Sequence, residues 1–585
     1  MALGIHNGRG MVATIGWRVE VCLLAHLVLL LACFQPAHAR GQIEPAKEQS
    51  PSTHLQGLAT ADPAVQEEAL TAIVEMNDPA LLPALTALYE GTLRVWKQVE
   101  GAPRLVILQK KVEPDGRGKT SLVDPLTGRI LAERDENATE PEPELTMVSL
   151  TSTTGRRLLK AGLDRLKLFD PSADTRRAAA IKLGNAGDVS VLPLLDRALA
   201  RENVKWARHA MEEAINQLRL EDPDPRARRD AATRLGEIKG LRALPRLKSL
   251  LAEEPVEPDE AVRKAIQGAI ERIETYQDLQ GFVGVAFYGL SLGSILFLMG
   301  LGLAITYGLM GVINMAHGEM MMIGAYTAFV FQELFLAYLP SSLHDFYFLV
   351  ALPASFLVTG GVGFLLEQTV IRFLYGRPLE TLLATWGVSM VLQQAARWYF
   401  GDLTSVNAPS WMRGGVEPMV GLVLPYNRIF VIVLGGVALL GVHWLLSRTR
   451  WGLLIRAVTQ NRGMSACLGI STRRVDAWTF AFGAGLAGVA GCAISLIGNV
   501  DPEMGKTYIV ESFMVVVVGG VGKLAGTVVS AMGIGMLNKV LEPLIGGTGG
   551  AIYAKLFILA AIILFLQGRP TGLFPAKGRV AEAGS

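Results

Sequence analysis

The sequence predicts an all-α polytopic membrane protein of about nine transmembrane helices, preceded by an exported α-solenoid domain that carries a small β insertion. Three observations predict it. Residues 41–280 are dense in Lys, Arg, Asp and Glu, whereas 281–567 are long runs almost free of charge. Within the charged half, one stretch repeats at a constant offset. Ahead of both lies a short apolar segment ending in a small-residue cleavage pattern. The chain has 585 residues, 50% of them hydrophobic, and a mean hydropathy of +0.34. Its formal net charge of +2 gives no argument for a nucleic-acid partner.

The first 39 residues read as a cleaved signal peptide. Arg9 and Arg18 precede "VCLLAHLVLLLACF" (21–34), which is too short to span comfortably, and Ala37-His38-Ala39 supplies the A-x-A site. A lipoprotein box ending at Cys33 is the competing reading, and Leu31 fits it poorly. Cleavage after Ala39 places residues 40–280 outside the cytoplasm. Of the four cysteines, Cys22 and Cys33 leave with the signal, and Cys467 and Cys492 fall in or beside the membrane part. The exported segment therefore has no disulfide and depends on its own core.

"DTRRAAAIKLGNAGDVSVLPLLDRAL" (174–199) and "RARRDAATRLGEIKGLRALPRLKSLL" (226–251) align at an offset of 52 residues. Arg176-Arg177 match Arg228-Arg229, Leu183-Gly184 match Leu235-Gly236, and Leu192-Pro193 match Leu244-Pro245. Each unit predicts a helix, a Gly-marked turn, and a second helix opened by Pro. "DPAVQEEALTAIVEMNDPALLPALTALYEG" (62–91) is a weaker copy. The pattern resembles HEAT-type repeats. Residues 92–150 interrupt it with strand-like "LRVWKQV", "RLVILQKKV" and "GRILAE", joined by turn signals at Asp115-Gly116 and Thr127-Gly128. A docking surface and a structural cap on the membrane part are both open readings of this half.

Apolar segments near 282–307, 319–338, 347–371, 381–400, 429–447, 476–500, 508–522, 524–541 and 551–567 make up the nine spans. Arg372 and Arg377 crowd one loop, and Arg448, Arg450, Arg456, Arg462, Arg473 and Arg474 another. Arg569 and Lys577 follow the last span, Lys577 within a tail at 576–585. By the positive-inside rule these are cytoplasmic, and an exported N-terminus then requires an odd number of spans. Gly483, Gly485, Gly488 and Gly491 read as close helix packing, as does the Gly522-x-x-x-Gly526 spacing. "GGVGK" (519–523) breaks the helix at or inside the membrane boundary.

Enzyme motifs fail on context. "GLSLG" (289–293) lies in an apolar span instead of a strand–turn–helix. "MGKT" (504–507) and "GVGKL" (520–524) lack the earlier Gly of a phosphate loop, where Val500 and Val517 stand. No His-x-x-x-His or Cys-x-x-Cys pair offers a metal site. No catalytic residue and no cofactor are expected.

Three acids lie within apolar segments: Glu319, Glu367 and Glu511. A charge buried there costs about 3 kcal/mol or more, so each is a functional candidate. Glu367 lies near the Arg372 loop, where a surface pairing explains it. Glu319 follows Asn314 and His317, with Gly311 and Gly318 loosening the helix. Two readings stand for "GVINMAHGEMMMIGAY" (311–326): a helix broken on a polar path, or a tight cytoplasmic turn.

The loop "RTRWGLLIRAVTQNRGMSACLGISTRRV" (448–475) is basic, and its middle (456–468) predicts one short amphipathic helix before Gly469. It resembles the cytoplasmic coupling loop of ABC permeases of the branched-chain amino acid type. Arg456, Ala457, Arg462, Ala466, Gly469 and Ile470 stand in its ATPase-contacting stretch. "GLMGVINMAHGEMMMIGAY", "VVVVGGVGKLAGTVVSAMGIG" and "RPTGLF" (569–574) look like further signatures of that family across 281–575. "HGEMMMIGAY", "SLIGNVDPEMGKTYIVESFMVVVVGGVGKLAGT" and the exported extension look most like its urea-transporting branch.

The resemblance implies a permease subunit that moves solute by alternating access, with no enzymatic activity of its own. It implies a periplasmic urea-binding protein, a second homologous permease and two ATPase subunits as partners. Urea is small and neutral, so a path for it needs hydrogen-bonding groups. Asn314, His317, Glu319, Gln393, Gln394 and Glu511 are the candidate liners. A branched-chain amino acid or short amide permease is the alternative, and a membrane-anchored repeat scaffold is the alternative from another class.

Overall fold

The computed structural model describes residues 51–60, 62–96, 104–112, 118–135, 145–150, 152–252, 257–546 and 549–574. The expected signal (1–39), the Asp115-Gly116 turn and the tail (576–585) lie outside them. The chain is mostly helical and divides into two compact units, residues 1–215 and 216–585.

The first unit holds helices α1 (Pro51–Gly57), α2 (Pro63–Met76) and α3 (Leu82–Glu90), then strands β1 (Leu93–Trp96), β2 (Arg104–Val112), β3 (Gly118–Val123), β4 (Ile130–Asp135) and β5 (Leu145–Met147). Helices α4 (Thr153–Leu166), α5 (Ala173–Ala186), α6 (Leu192–Arg201) and most of α7 (Lys205–Arg219) follow. The strands form one antiparallel sheet in the order β4-β3-β2-β1-β5. The Thr127-Gly128 turn is held by Asp124, whose Oδ1 accepts from Leu126 and Thr127 N–H at 2.9 and 2.8 Å. Strands β3 and β5 were not among the segments the sequence predicts.

The second unit opens with α8 (Pro225–Ile238) and α9 (Leu244–Ala252) and continues into α10 (Glu260–Met310). The repeat is visible in its caps. Asp62, Ser172 and Asp224 each accept from a first-turn N–H, of Ala64, Thr175 and Arg226. Asn77, Gly187 and Lys239 end the same three helices in the left-handed region. Two repeats also carry the same buried bidentate ion pair. Arg176 meets Glu202 at 2.6 and 2.9 Å, and Arg228 meets Glu257 at 3.0 and 2.6 Å.

Helix α10 is 51 residues long, about 76 Å at 1.5 Å per residue. It passes through residue 280 without a break. Its first turns complete the apolar core of α8 and α9, through Val262, Ile266, Ala269 and Ile273. Its remainder enters the membrane core. The rest of the unit is α11 (His317–Tyr338), α12 (Tyr347–Thr369), α13 (Pro378–Phe400), the hairpin β6 (Gly415–Met419) and β7 (Leu422–Pro425), α14 (Tyr426–Arg448), α15 (Arg450–Gln460), α16 (Arg462–Cys467), α17 (Thr472–Ile494), α18 (Met504–Gly519), α19 (Leu524–Ile545) and α20 (Gly550–Gly568).

Among the described residues seven helices are long and apolar enough to cross a membrane: α10, α11, α12, α14, α17, α19 and α20. The sequence-based count is nine, and two of its segments fall short. Helix α13 has the length but carries Glu380, Gln393, Gln394 and Arg397. Helix α18 has 16 residues, about 24 Å, against a hydrocarbon core of about 30 Å. Helix α17 is the centre of the unit and is buried along most of its length. Its glycines let neighbours touch backbone to backbone: Gly483 meets Gly302 of α10, Gly488 meets the Ser355 carbonyl of α12, and Gly491 meets the Met321 carbonyl of α11. Gly522 and Gly526 do not share a helix face. Gly522 sits in the turn before α19 against Gly308, and Gly526 packs on Gly519.

Candidate functional site: a buried polar group at a helix break

Helix α10 stops at Gly311, whose φ of 67° is open to glycine and lets its N–H cap the Tyr307 carbonyl at 3.0 Å. Five more residues pass before α11 begins at His317. This connection is not a solvated turn: Val312, Asn314 and Ala316 are buried. Its polar groups are met from inside. Met315 N–H donates to Thr385 Oγ1 of α13 at 3.1 Å, and Asn314 Oδ1 accepts from Ala316 N–H at 3.0 Å. Asn314 Nδ2 has no partner among the described residues.

His317 is fully buried. Its Nε2 lies 3.2 Å from the Met299 carbonyl of α10. A carbonyl only accepts, so Nε2 carries the proton in that bond, and Nδ1 is left as a buried acceptor without a partner. Glu319 is 1% exposed. Its Oε1 accepts from Ser389 Oγ at 2.8 Å and Gln393 Nε2 at 2.7 Å, both on α13, and Gln393 Nε2 also reaches Ser389 Oγ at 3.0 Å. Glu319 Oε2 has no partner among the described residues.

Beside it the backbones of Gly318 and Gly505 touch, so α11 and α18 begin against one another. A Cβ on Gly505 would stand 2.7 Å from Gly318 C and 3.0 Å from Glu319 Oε2. Helix N-termini present unpaired N–H groups and positive potential, which suits a carboxylate there.

Helices α11 and α13 run in the same direction, joined at Met315–Thr385, Glu319–Ser389–Gln393 and Tyr326–Phe400. The last pair stacks at 4.2 Å, and the buried Tyr326 hydroxyl, two turns beyond Glu319 on the same face, has no partner. Past it, Arg397 of α13 pairs with Asp402 at 3.0 Å and Glu503 at 2.9 Å. Arg397 and then Lys506 hold the Glu503 carboxyl below its usual range.

Of the residues read from the sequence, Glu319 and Gln393 are in direct contact, with Asn314 and His317 buried in the adjoining connection and first turn of α11. Gln394 is exposed and takes no part. Glu511 is turned elsewhere, pairing with Lys555 of α20 at 2.7 Å. Glu367 meets Tyr375 and Gln368, not the Arg372 guanidinium. The sequence reading missed Thr385 and Ser389. Their signal is the i, i+4 series Thr381, Thr385, Ser389, Gln393 and Arg397, one polar stripe through an apolar segment.

The loop 448–475 forms two helices, α15 and α16, where the sequence predicts one across 456–468. Asn461 separates them: its extended backbone ends α15, and its Oδ1 caps α16 by accepting from Met464 N–H at 2.9 Å. Arg456 is exposed and folds back on the Gly452 carbonyl at 3.3 Å, and the Ala457 carbonyl accepts from Asn461 N–H. Ala466 is exposed and accepts from Gly469 N–H at 3.0 Å. Ile470 packs on Ile455, Val458 and Val475. Arg462 turns inward to Asp476 at 2.7 Å. Met464 and Leu468 point outward, Leu468 at 75% exposure.

Residues 285–566 match the family described as branched-chain amino acid transport system / permease component. The high-affinity branched-chain amino acid transport system permease protein BraD of Pseudomonas aeruginosa is 32% identical over 306 residues, 51% of this chain and 96% of that protein. The corresponding permease protein LivH of Escherichia coli (strain K12) is 28% identical over 300 residues, 50% of this chain and 95% of that protein. The ribose import permease protein RbsC of the same organism is 24% identical over 223 residues, 37% of this chain and 67% of that protein. No solved structure matches. With nearly the whole of a permease contained in its second half, and seven helices fit to cross a membrane, this chain is a multi-pass membrane protein belonging to the branched-chain amino acid transport system permease family.

Proposed function

We propose that the chain is the permease subunit of an ABC importer for urea. Solute crosses by alternating access beside Glu319, and separate ATPase subunits drive the switch. The observation that carries this reading is the unsatisfied hydrogen-bonding capacity around the helix break. Glu319 Oε2 is a buried acceptor with no donor, and Asn314 Nδ2 a buried donor with no acceptor. Leaving each unpaired costs about 1–3 kcal/mol. A neutral solute carrying both N–H and C=O groups relieves both costs without bringing an uncompensated charge. Ser389 and Gln393 fix the carboxylate's orientation, which preorganises the free oxygen.

The assembly we propose contains a second homologous permease, two ATPases, one of them docked on α15 and α16 of this chain, and a periplasmic urea-binding protein. The signal peptide, the exported repeat unit and a cytoplasmic face at 448–475 belong to the same reading. So do membrane crossings by α13 and α18: α13 runs in register with α11, which supports a shared path through the bilayer.

The second reading is a branched-chain amino acid permease, favoured by the printed names of the relatives. A zwitterion needs a cation for its carboxylate, and the groups on Glu319 are neutral donors. Labelled urea and leucine offered to a deletion strain expressing the assembled transporter separate the two. Saturable urea uptake that short amides compete supports the proposal. Uptake of leucine without urea overturns it.

A further inference from the structure

Two carboxyls lie buried at the ends of the two most closely packed helices of the membrane core: Glu367 of α12, 2% exposed, and Asp476 of α17, 3% exposed. The guanidinium that meets them comes from outside the helix pair. Arg462 Nη2 of α16 stands 2.7 Å from Asp476 Oδ2, and its guanidinium carbon lies 4.5 Å from the centre of the Tyr375 ring. Tyr375 OH in turn donates to Glu367 Oε1 at 3.2 Å, and Gln368 Nε2 donates to Oε2 at 3.0 Å. Arg372, the nearest cation in sequence, is occupied by Gln368 Oε1 at 3.3 Å and the Phe373 ring at 4.5 Å. One half-exposed arginine therefore holds both carboxyls, one directly and one through a tyrosine.

Helix α16 has little else to hold it. It is six residues long, and only Ser465 among them is buried. Inward of the clamp there is no slack. Gly360 and Gly363 of α12 lie against Ala481 and Ala484 of α17, and Phe356 lies 2.8 Å from where a Gly485 Cβ would stand. Ser355 Oγ of α12 donates to the Gly324 carbonyl of α11 at 3.0 Å, and Gly491 of α17 packs on the Met321 carbonyl. Both contacts fall within two turns of Glu319. Helices packed this closely shift as a body instead of deforming.

We infer that Arg462 is the positioning residue that couples the loop to the polar site. Through Asp476 and through Tyr375–Glu367 it fastens α16 to α17 and α12, and a displacement of α16 reaches α11 and Glu319 through that helix pair. This rests on the reading of α15 and α16 as the ATPase contact, which cross-linking from Leu468→Cys to the ATPase subunit tests by itself. It does not depend on which solute is carried.

The test is made on the fully assembled transporter in vesicles, with whichever labelled solute the wild type takes up, measuring ATP hydrolysed per solute moved. Arg462→Gln and Asp476→Asn should each raise that ratio about tenfold, within the usual range of coupling between sites. The concentration of solute at half-saturation stays unchanged, and Asp476→Glu returns most of the coupling. The double variant Arg462→Gln/Asp476→Asn leaves no unpaired charge at this pair, assembles, and remains uncoupled. Proportional loss of uptake and hydrolysis, an unchanged ratio, or recovery of coupling in the double variant would overturn the inference.

Discussion

Gln393 Nε2 donates to Glu319 Oε1 at 2.7 Å while the other carboxylate oxygen, Oε2, stays without a partner in a residue that is almost wholly buried. Most buried carboxylate oxygens in folded proteins are hydrogen-bonded, because an unmet acceptor costs free energy, so an unmet one calls for an explanation. Ser389 and Gln393 fix the group, and under the proposed function its second oxygen is the one that solute meets when the helices move apart. Glu319→Ala removes both oxygens and should lower uptake at limiting solute by about 10- to 100-fold, the worth of hydrogen bonds to a charged group. Gln393→Ala, which frees the carboxylate to turn, should cost less. Uptake rates normalised to transporter in the membrane check both.

The contact between Gly318 and Gly505 leaves no space for a methyl group. Gly505→Ala places a Cβ 2.7 Å from a backbone carbon and 3.0 Å from Glu319 Oε2, and backbone cannot swing away. Overpacking of this kind costs about 1–3 kcal/mol. The variant should melt earlier in detergent and lose uptake, whereas Gly436→Ala, where a Cβ would meet nothing within 4 Å, should do neither.

Lys555 and Glu511 form an ion pair between α20 and α18. Lys555→Met leaves the Glu511 carboxylate buried and unpaired, a loss of about 3 kcal/mol or more. Adding Glu511→Gln should recover most of the lost thermal stability of the purified protein. If Lys555→Met alone is neutral, the pair holds nothing together.

In the repeat unit, the Arg176 guanidinium hydrogen-bonded to Glu202 holds that carboxyl below its usual range. A carboxyl lowered in the folded state stabilises it fully above its unfolded pKa of about 4.3. The contribution is lost as pH falls from there through the lowered folded value. Amide hydrogen exchange across α5 to α7 should therefore quicken as pH falls below about 4.3 and through the lowered folded value. In Arg176→Gln exchange should already be faster at neutral pH and should show less of that acid step.

The repeat was legible because its spacing is enforced by geometry. Leu-Pro pairs open α3, α6 and α9, and Arg176 and Arg228 recur because each ties the first helix of a repeat to the connection that follows its second helix, through Glu202 or Glu257. Strand β3 was not legible: Gly118, Lys119, Thr120 and Ser121 carry no apolar alternation, and their pairing partner β2 decides their conformation. Helix α13 shows the opposite failure. Its letters are apolar enough to read as one more span, so Gln393 and Gln394 stood out while the i, i+4 stripe containing Thr385 and Ser389 passed unnoticed. Only the helical face tells Gln393, turned to Glu319, from Gln394, turned to the surface. Glu511 looked equivalent to Glu319 because both are acids in apolar runs; Lys555, 44 residues later in sequence, meets Glu511 only through the packing of α18 on α20.

The most direct test is paired uptake of labelled urea and labelled leucine by the wild-type transporter and by its Glu319→Gln variant, assembled with its ATPase and permease partners. The account expects saturable urea uptake in the wild type, insensitive to excess leucine and strongly reduced by Glu319→Gln. Leucine uptake that excess urea does not affect, or urea uptake unchanged by Glu319→Gln in a fully assembled transporter, would contradict it.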